Sequence, residues 1–286
     1  MAATAIIGQT VTTRIVNLRQ GTPSTDAPVS EELPAGTAIN VQALATGDAV
    51  EGNTQWFLTD ANAYVWSGDC APLVLSGDTV PNVVDIAHGD SVTSFAQAQA
   101  AGVVGIIHKA TTGATGHDPA YAGRRQAAIA AGLLWGAYHW GTAAPIDQQL
   151  ANFLDTAQPD GNTLVALDFE ADPGDQMTLD GARQFLKGIE AKLGRRAVLY
   201  SGILIKTSLG TTADPFFGAH RLWLSQYGNQ PIVQASWSTF WLWQYTDGTA
   251  GPGPYSAPGI PGDSAGHLDC NHYMGSADQL HRQWAS

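Results

Sequence analysis

The chain has 286 residues, room for one large domain and a small one, and 44% of them are hydrophobic, which excludes wholesale disorder. Its net charge of −12, with 13 Lys plus Arg and no basic run, argues against nucleic acid or an anionic membrane as the main partner. Two cysteines, Cys70 and Cys270, are too few for a disulfide framework, and no Cys/His spacing suggests zinc. Two free thiols are expected ahead of a single Cys70–Cys270 bond, and no metal and no cofactor. Met1 to Arg14 lacks a basic segment followed by an apolar core, and no apolar run approaches the ~20 residues of a membrane span. The expectation is a monomer made in the cytoplasm without a signal peptide and without membrane insertion.

Residues 1 to about 74 read as all-β. Short runs at Ile15–Leu18, Ala38–Ala43, Gln55–Leu58 and Ala63–Trp66 are separated by turn signals at Gly21-Thr22-Pro23, Leu33-Pro34-Ala35-Gly36 and Glu51-Gly52-Asn53. No helical period appears, so a small barrel is expected. Asn17-Leu18-Arg19-Gln20-Gly21-Thr22-Pro23-Ser24, Leu33-Pro34-Ala35-Gly36-Thr37, Trp56 and Ala63-Tyr64-Val65-Trp66-Ser67 resemble a bacterial SH3 domain. That resemblance implies a module binding cell-wall peptide, with Trp56, Tyr64 and Trp66 forming either a groove or the small core. The connector Leu75-Ser76-Gly77-Asp78 sets the expected boundary, giving domains 1–76 and 77–286.

From residue 80 the pattern turns to alternating strands and helices. Eight strands are predicted: Val83–Ile86, Val103–Lys109, Leu133–Trp140, Leu164–Glu170, Ala197–Ser201, Arg221–Tyr227, Phe240–Thr246 and Leu268–Tyr273. Helices are predicted at Ser91–Ala101, Pro119–Ala131, Ile146–Ala157, Leu179–Leu193 and Leu204–Leu209, with none beyond before the C-terminal tail. Parallel strands need a crossover of about a dozen residues, and the first five gaps can hold one. The later gaps are rich in Gly, Pro, Asn and Gln. The expected fold is α/β: an irregular β/α barrel of about five βα units plus three further strands, these last joined by loops and paired antiparallel.

In such barrels the active site lies at the carboxyl ends of the strands. Here those ends carry Asp85, His108-Lys109, Tyr138-His139-Trp140, Asp168 with Glu170, and Tyr200. The later strands offer Trp223, Gln226 and Tyr227, then Gln244 and Tyr245, then Asp269 and Asn271. Side chains alternate along a strand, so Asp168 and Glu170 share the inner face with Leu164 and Ala166, while Val165, Leu167 and Phe169 face the helices. Carboxylates with aromatic rings suit a sugar site, where one acid protonates the leaving oxygen and a second group stabilises the oxocarbenium-like centre. Glu170 is the better acid, since a charge at Asp168 and partial burial would raise its pKa. Cα atoms two apart on a strand lie about 6.5–7 Å apart, which overlaps both retaining and inverting separations. A lone Asp-X-Glu more often marks a solvated strand end, and Asp85 and Asp269 read alone are ordinary turn formers. Their joint placement at strand ends is what favours catalysis.

Residues 80–275 are similar to glycoside hydrolase family 25, the Chalaropsis-type lysozymes and endolysins. The matching motifs are Val84-Asp85-Ile86-Ala87, Ile107-His108-Lys109-Ala110-Thr111-Thr112-Gly113 with Asp118-Pro119, Gly136-Ala137-Tyr138-His139-Trp140, Ala166-Leu167-Asp168-Phe169-Glu170, Leu222-Trp223, Leu242-Trp243-Gln244-Tyr245-Thr246 and His267-Leu268-Asp269-Cys270-Asn271-His272-Tyr273. The resemblance implies hydrolysis of the β-1,4 bond between N-acetylmuramic acid and N-acetylglucosamine in peptidoglycan. It implies Glu170 as acid/base, Asp168 as nucleophile or as helper of the substrate acetamido group, and Asp85 and Asp269 completing the acidic cluster. Tyr138, Tyr200 and Trp223, with Lys109, would line the saccharide groove. The family often has Glu where Thr112 stands, Gly where Val84 stands and Phe where Trp140 stands; none of these departures removes a carboxylate.

Two other functions compete: a wall-binding barrel without activity, and a chitin hydrolase. Chitinase-like barrels carry further acids upstream on the same strand, where this chain has Val165, Ala166 and Leu167. With no signal peptide, a wall hydrolase needs another way out, so a phage or prophage endolysin released through a holin is expected.

Overall fold

The computed structural model describes residues 4–71, 73–75, 80–227, 231–251, 253–273 and 277–286. Its N-terminal part is one curled antiparallel sheet of β1 (Thr4–Val11), β2 (Val16–Gln20), β3 (Val29–Leu33), β4 (Ala38–Val50), β5 (Asn53–Thr59), β6 (Ala63–Trp66) and β7 (Val74–Leu75), in the order β3-β2-β6-β5-β4-β1-β7. Val16, Leu18, Val41, Leu44, Phe57 and Val65 fill its interior. Gly36 and Gly52 take φ of 86° and 84° in the turns marked by the sequence, a region open to glycine at little cost. β3 was not anticipated because it is an exposed edge with no apolar alternation. Trp56 is buried and its Nε1 donates to Asp48 O at 3.0 Å, whereas Tyr64 and Trp66 stand on the opposite face of β6 from buried Ala63 and Val65. Trp56, Trp66, Arg19, Thr25 and Asp69 line a small cleft that Tyr64 does not reach. Ser76, Gly77 and Asp78 of the expected connector, and Pro252 of the Gly/Pro stretch, lie outside the described residues.

The larger part is a closed barrel. Its elements are β8 (Val83–Ile86), α1 (Phe95–Ala101), β9 (Gly105–Thr112), β10 (Gly116–His117), α2 (Tyr121–Ala130), β11 (Leu134–Trp140), α3 (Ile146–Ala157), β12 (Leu164–Asp168), α4 (Leu179–Leu193), β13 (Val198–Ser201), α5 (Ile203–Leu209), α6 (Pro215–Gly218), β14 (Leu222–Ser225), β15 (Leu242–Thr246), β16 (Asp269–Tyr273) and α7 (Ala277–Gln283). The strand order is β9-β11-β12-β13-β14-β15-β16-β8, closed by β8 against β9, with the short β10 hairpinned onto β9. Helices α3 and α4 match their predicted ranges. α1 begins later than expected because Ser94 caps it, accepting from Gln97 N at 3.1 Å.

One pairing differs from expectation. β14 and β15 run parallel, Trp223 beside Leu242, although no helix joins them among the described residues. A crossover needs length, not helicity, and the loop between them packs Trp237, whose Nε1 donates to His220 O at 2.8 Å. Among the eight strands of the closed barrel, antiparallel pairing is confined to β16, against both β15 and β8.

The strands bury two faces. Ile86, Ile106, Ala137, Val165, Leu167, Leu199, Leu224 and Trp243 pack outward against the helices, whereas Val83, Ile107, Leu164, Ala166, Val198, Trp223 and Leu242 fill the barrel. The alternation expected for β12 therefore holds. Trp284, after α7, is buried with this inner layer, its ring against Gly105, and donates from Nε1 to Trp135 O at 2.7 Å. An added Cβ on Gly105 would stand 2.5 Å from that ring.

Candidate active site

The parallel strands all end at one mouth, and each delivers its inward polar residue there. Asp85 comes from β8, Lys109 from β9, Tyr138 from β11, Asp168 from the end of β12, Tyr200 from β13 and Gln244 from β15. β16 runs the other way, so its first residue, Asp269, arrives at the same end and pairs with Asp85 in register. Beyond β12 the backbone stays aligned: Phe169 N donates to Tyr200 O at 2.9 Å, and Ser201 Oγ donates to Phe169 O at 2.6 Å. Those bonds continue the strand alternation for two residues and turn Glu170 to the side of Asp168.

Asp85 is held by amides. Gln244 Nε2 donates to its Oδ1 and Oδ2 at 3.0 and 3.1 Å, and Asn271 Nδ2 donates to Oδ1 at 2.7 Å. Asn271 Oδ1 accepts from Trp223 Nε1 at 2.6 Å, and Gln244 Oε1 accepts from Tyr200 and Tyr227 hydroxyls at 2.7 and 3.1 Å. Asp168, by contrast, has a buried Oδ1 with no partner among the described residues. An unpaired buried carboxylate oxygen is costly when ionised, which favours the protonated group.

Electrostatics agree with that reading. Burial, then the charge of Glu170, pushes Asp168 well above the usual carboxylate range, with Lys109 opposing. Burial also raises Glu170, against hydrogen bonds from Ser225 and Tyr200 and the charge of Lys109. Burial raises Asp85 to about 7 despite its amide donors. Asp269 is pushed to about 9 by burial and then by the charges of Asp85, Asp90, Asp247 and Glu170. The mouth thus gathers four carboxyl groups that retain protons at pH values where free ones are ionised. Asp168 is the deeper of the pair, and repulsion between it and Glu170 disfavours ionising both together.

Of the residues singled out from sequence, Asp85, Lys109, Tyr138, Asp168, Glu170, Tyr200, Trp223 and Asp269 all come together here. Tyr138, Tyr200 and Trp223 are 8%, 5% and 1% exposed, so they form the floor of the mouth, their rings in mutual edge contact. The more open rings are Trp140 and Tyr227, and Lys109 Nζ lies 4.9 Å from the Trp140 ring. Tyr245 and Gln226 do not join the mouth. Tyr245 faces outward and donates to Pro254 O at 3.2 Å, and Gln226 accepts from Lys206. Asp90 was missed; in His88-Gly89-Asp90 it reads only as a turn former, and its Oδ2 accepts from Ala87 N at 2.7 Å. Among the described residues no group of three or more His, Cys, Asp or Glu is arranged to hold a metal ion. Cys70 and Cys270 are both buried, and Cys70 Sγ donates to Trp66 O at 3.6 Å.

Residues 84–253, more than half of the chain, match the family model described as glycosyl hydrolases family 25; Asp269 and Asn271 lie beyond the matched segment. Among solved structures the barrel is similar to a bacterial lysozyme from Streptomyces coelicolor, at 23% identity and a TM-score of 0.62 over 72% of this chain and 98% of that one. A family GH25 lysozyme from Aspergillus fumigatus shares 23% identity with a TM-score of 0.59, over 73% of this chain and 100% of that one. The catalytic domain of endolysin ply40 from bacteriophage P40 of Listeria monocytogenes shares 17% identity with a TM-score of 0.55, over 73% and 98%. At these identities the likeness is one of fold. No curated protein matches the sequence.

Proposed function

This chain belongs to glycosyl hydrolases family 25 and is a glycoside hydrolase, and we propose that it is a peptidoglycan muramidase cleaving the β-1,4 bond between N-acetylmuramic acid and N-acetylglucosamine. The observation that carries this reading is the convergence of four proton-retaining carboxyl groups at one barrel mouth, one at the end of β12 and one two residues beyond it. Glu170 is the proton donor: it is more open than Asp168, and burial holds its carboxyl above the ordinary range. It gives its proton to the glycosidic oxygen and, as the base it has become, takes one from the incoming water. Asp168 in its ionised form, which the charge of Lys109 favours, steadies the positive charge at the anomeric carbon, directly or through the substrate acetamido group. Asp85 and Asp269 complete the acidic cluster, and Lys109, Tyr138, Tyr200 and Trp223 shape the floor beneath the sugar. Turbidity loss of purified peptidoglycan by the wild type and by Glu170→Gln tests the assignment; equal activity refutes it. Mass spectrometry of the products, which identifies the reducing-end sugar, tests the bond, and cleavage of chitin at a comparable rate would favour the broader N-acetylglucosamine specificity.

We assign residues 1–76 to a separate SH3-like module for wall peptide and residues 77–286 to the catalytic barrel. The cleft lined by Arg19, Trp56, Trp66 and Asp69 offers both charges and apolar surface to a short zwitterionic peptide. Co-sedimentation of the intact protein and of Trp66→Ala with purified walls tests this, and unchanged retention of the variant counts against it. The likeness to a phage endolysin domain supports a role in host lysis at the end of a phage cycle. Lysis that depends on a co-expressed holin is the expected result; lysis without one refutes the release route.

A further inference from the structure

Gln244 joins two parts of the mouth that no other side chain connects in the same way. Its Nε2 donates to both oxygens of Asp85, and its Oε1 accepts from the hydroxyls of Tyr200 and Tyr227. The side chain is buried, so water does not substitute for these partners. The orientation of its neighbour Asn271 follows from chemistry: the indole N–H of Trp223 can only donate, so the Asn271 atom that it meets at 2.6 Å is the oxygen. The Asn271 nitrogen then faces Asp85. Asp85 is surrounded by N–H donors and meets them as an acceptor.

We propose that Gln244 is a positioning residue for the hydrolysis: it holds the Asp85 carboxyl in place and, through the hydroxyl of Tyr200, couples the protonation of Asp85 to that of Glu170. The inference rests on the reading of Glu170 as acid/base given above. Tyr200 has one hydroxyl proton, and it lies beside both Gln244 Oε1 and the Glu170 carboxyl. While Asp85 is an anion, the amide nitrogen faces it and the Tyr200 proton is taken by Gln244 Oε1. Glu170 then loses the Tyr200 donor, with Ser225 and the charge of Lys109 remaining, and holds its own proton more firmly for the leaving group. Were Asp85 protonated, the amide would turn: Oε1 would accept from Asp85, Nε2 would donate to Tyr200, and the Tyr200 proton would pass to a bond with Glu170, favouring its anion. An anionic Asp85 therefore keeps Glu170 in its acid form.

Charges on Asp90, Asp168 and Asp269 oppose an Asp85 anion, whereas the neutral hydroxyls of Tyr138, Tyr200 and Tyr227 and the thiol of Cys270 are themselves held protonated in part by its charge. Lys109 on β9 acts on Asp168 and Glu170. The two amides are thus the favourable partners that Asp85 has.

The experiment is the pH dependence of kcat and KM for wild type, Gln244→Met and Gln244→Glu on soluble peptidoglycan oligosaccharides. Gln244→Met keeps the shape and removes the donor. Its kcat is expected to fall by roughly tenfold or more with KM nearly unchanged, and the acidic limb to move up by about one pH unit. Gln244→Glu donates to Asp85 only while it is itself protonated, so its optimum moves towards acid. Opposite displacements of the two profiles support the inference. An equal fractional loss at every pH in both variants, or no loss, overturns it, and if Gln244→Met does not fold, a wild-type profile for Gln244→Glu does so alone. An active Glu170→Gln overturns the underlying reading instead; an inactive Glu170→Gln beside unshifted Gln244 profiles overturns this inference only.

Discussion

Replacing Asp269 by asparagine should make the protein more stable at neutral pH and less active. Asp269 is raised to about 9 by burial and by the charges of Asp85, Asp90, Asp247 and Glu170. Unfolded, it titrates near 3.9. The folded value lies above the unfolded one, so folding favours the proton. That advantage is complete below about pH 3.9 and is lost as the pH climbs towards 9. At pH 7 the gap of ~3 units, at 1.36 kcal/mol each, sets an upper bound of ~4 kcal/mol on the penalty. The side chain is partly open to solvent, and screening reduces the expected gain on removing the charge to ~1–2 kcal/mol, or roughly 3–6 °C in Tm for a chain of this size. Thermal melts of wild type and Asp269→Asn at pH 4, 6 and 8, followed by circular dichroism, measure it. The gain should nearly vanish at pH 4, where the carboxyl is neutral in the fold and about half protonated when unfolded. A gain as large at pH 4 as at pH 8, or a variant less stable at pH 8, would refute the electrostatic argument.

Three further outcomes follow from the same structure. His272 has a buried Nε2 with no partner among the described residues and is held down to about 4 by burial, so the fold loses stability from it as the pH falls from about 6.5 towards 4. His272→Phe should flatten that acid limb in urea titrations, and an unchanged slope would count against it. Trp284→Ala empties the closed end of the barrel and should cost about 3–5 kcal/mol by urea unfolding; a loss below about 1 kcal/mol would mean that the end collapses without it. Residues 80–286 expressed alone should cleave soluble oligosaccharides at the rate of the whole chain yet sediment less with intact walls, and equal sedimentation would remove the binding role from the N-terminal sheet.

Local pattern is enough to place much of this molecule. The runs around Asp85, Lys109, Tyr138 and Asp168 are short, apolar and flanked by helical periods, and period-two alternation orients Asp168 and Glu170 without any knowledge of neighbours. The helices α3 and α4 carry their limits in the sequence, the latter in Thr178, whose Oγ1 accepts from Gly181 N at 3.0 Å, and in Gly194, at φ 68°. The exposed edge β3 and the parallel pairing of β14 with β15 had no such local mark.

What the sequence determined by itself is which side chains stand at strand ends, because alternation and turn chemistry are properties of a few consecutive residues. What only the tertiary structure decided is how those ends meet. Asp269 reaches Asp85 because β16 runs antiparallel between β15 and β8, a choice settled by barrel closure 184 residues away along the chain. Closure also removes water from the mouth, and burial there is the first cause of every raised carboxyl. Two acids one residue apart are common in proteins; a dry, shared mouth is what separates these from solvated ones, and it exists only once all eight strands have closed.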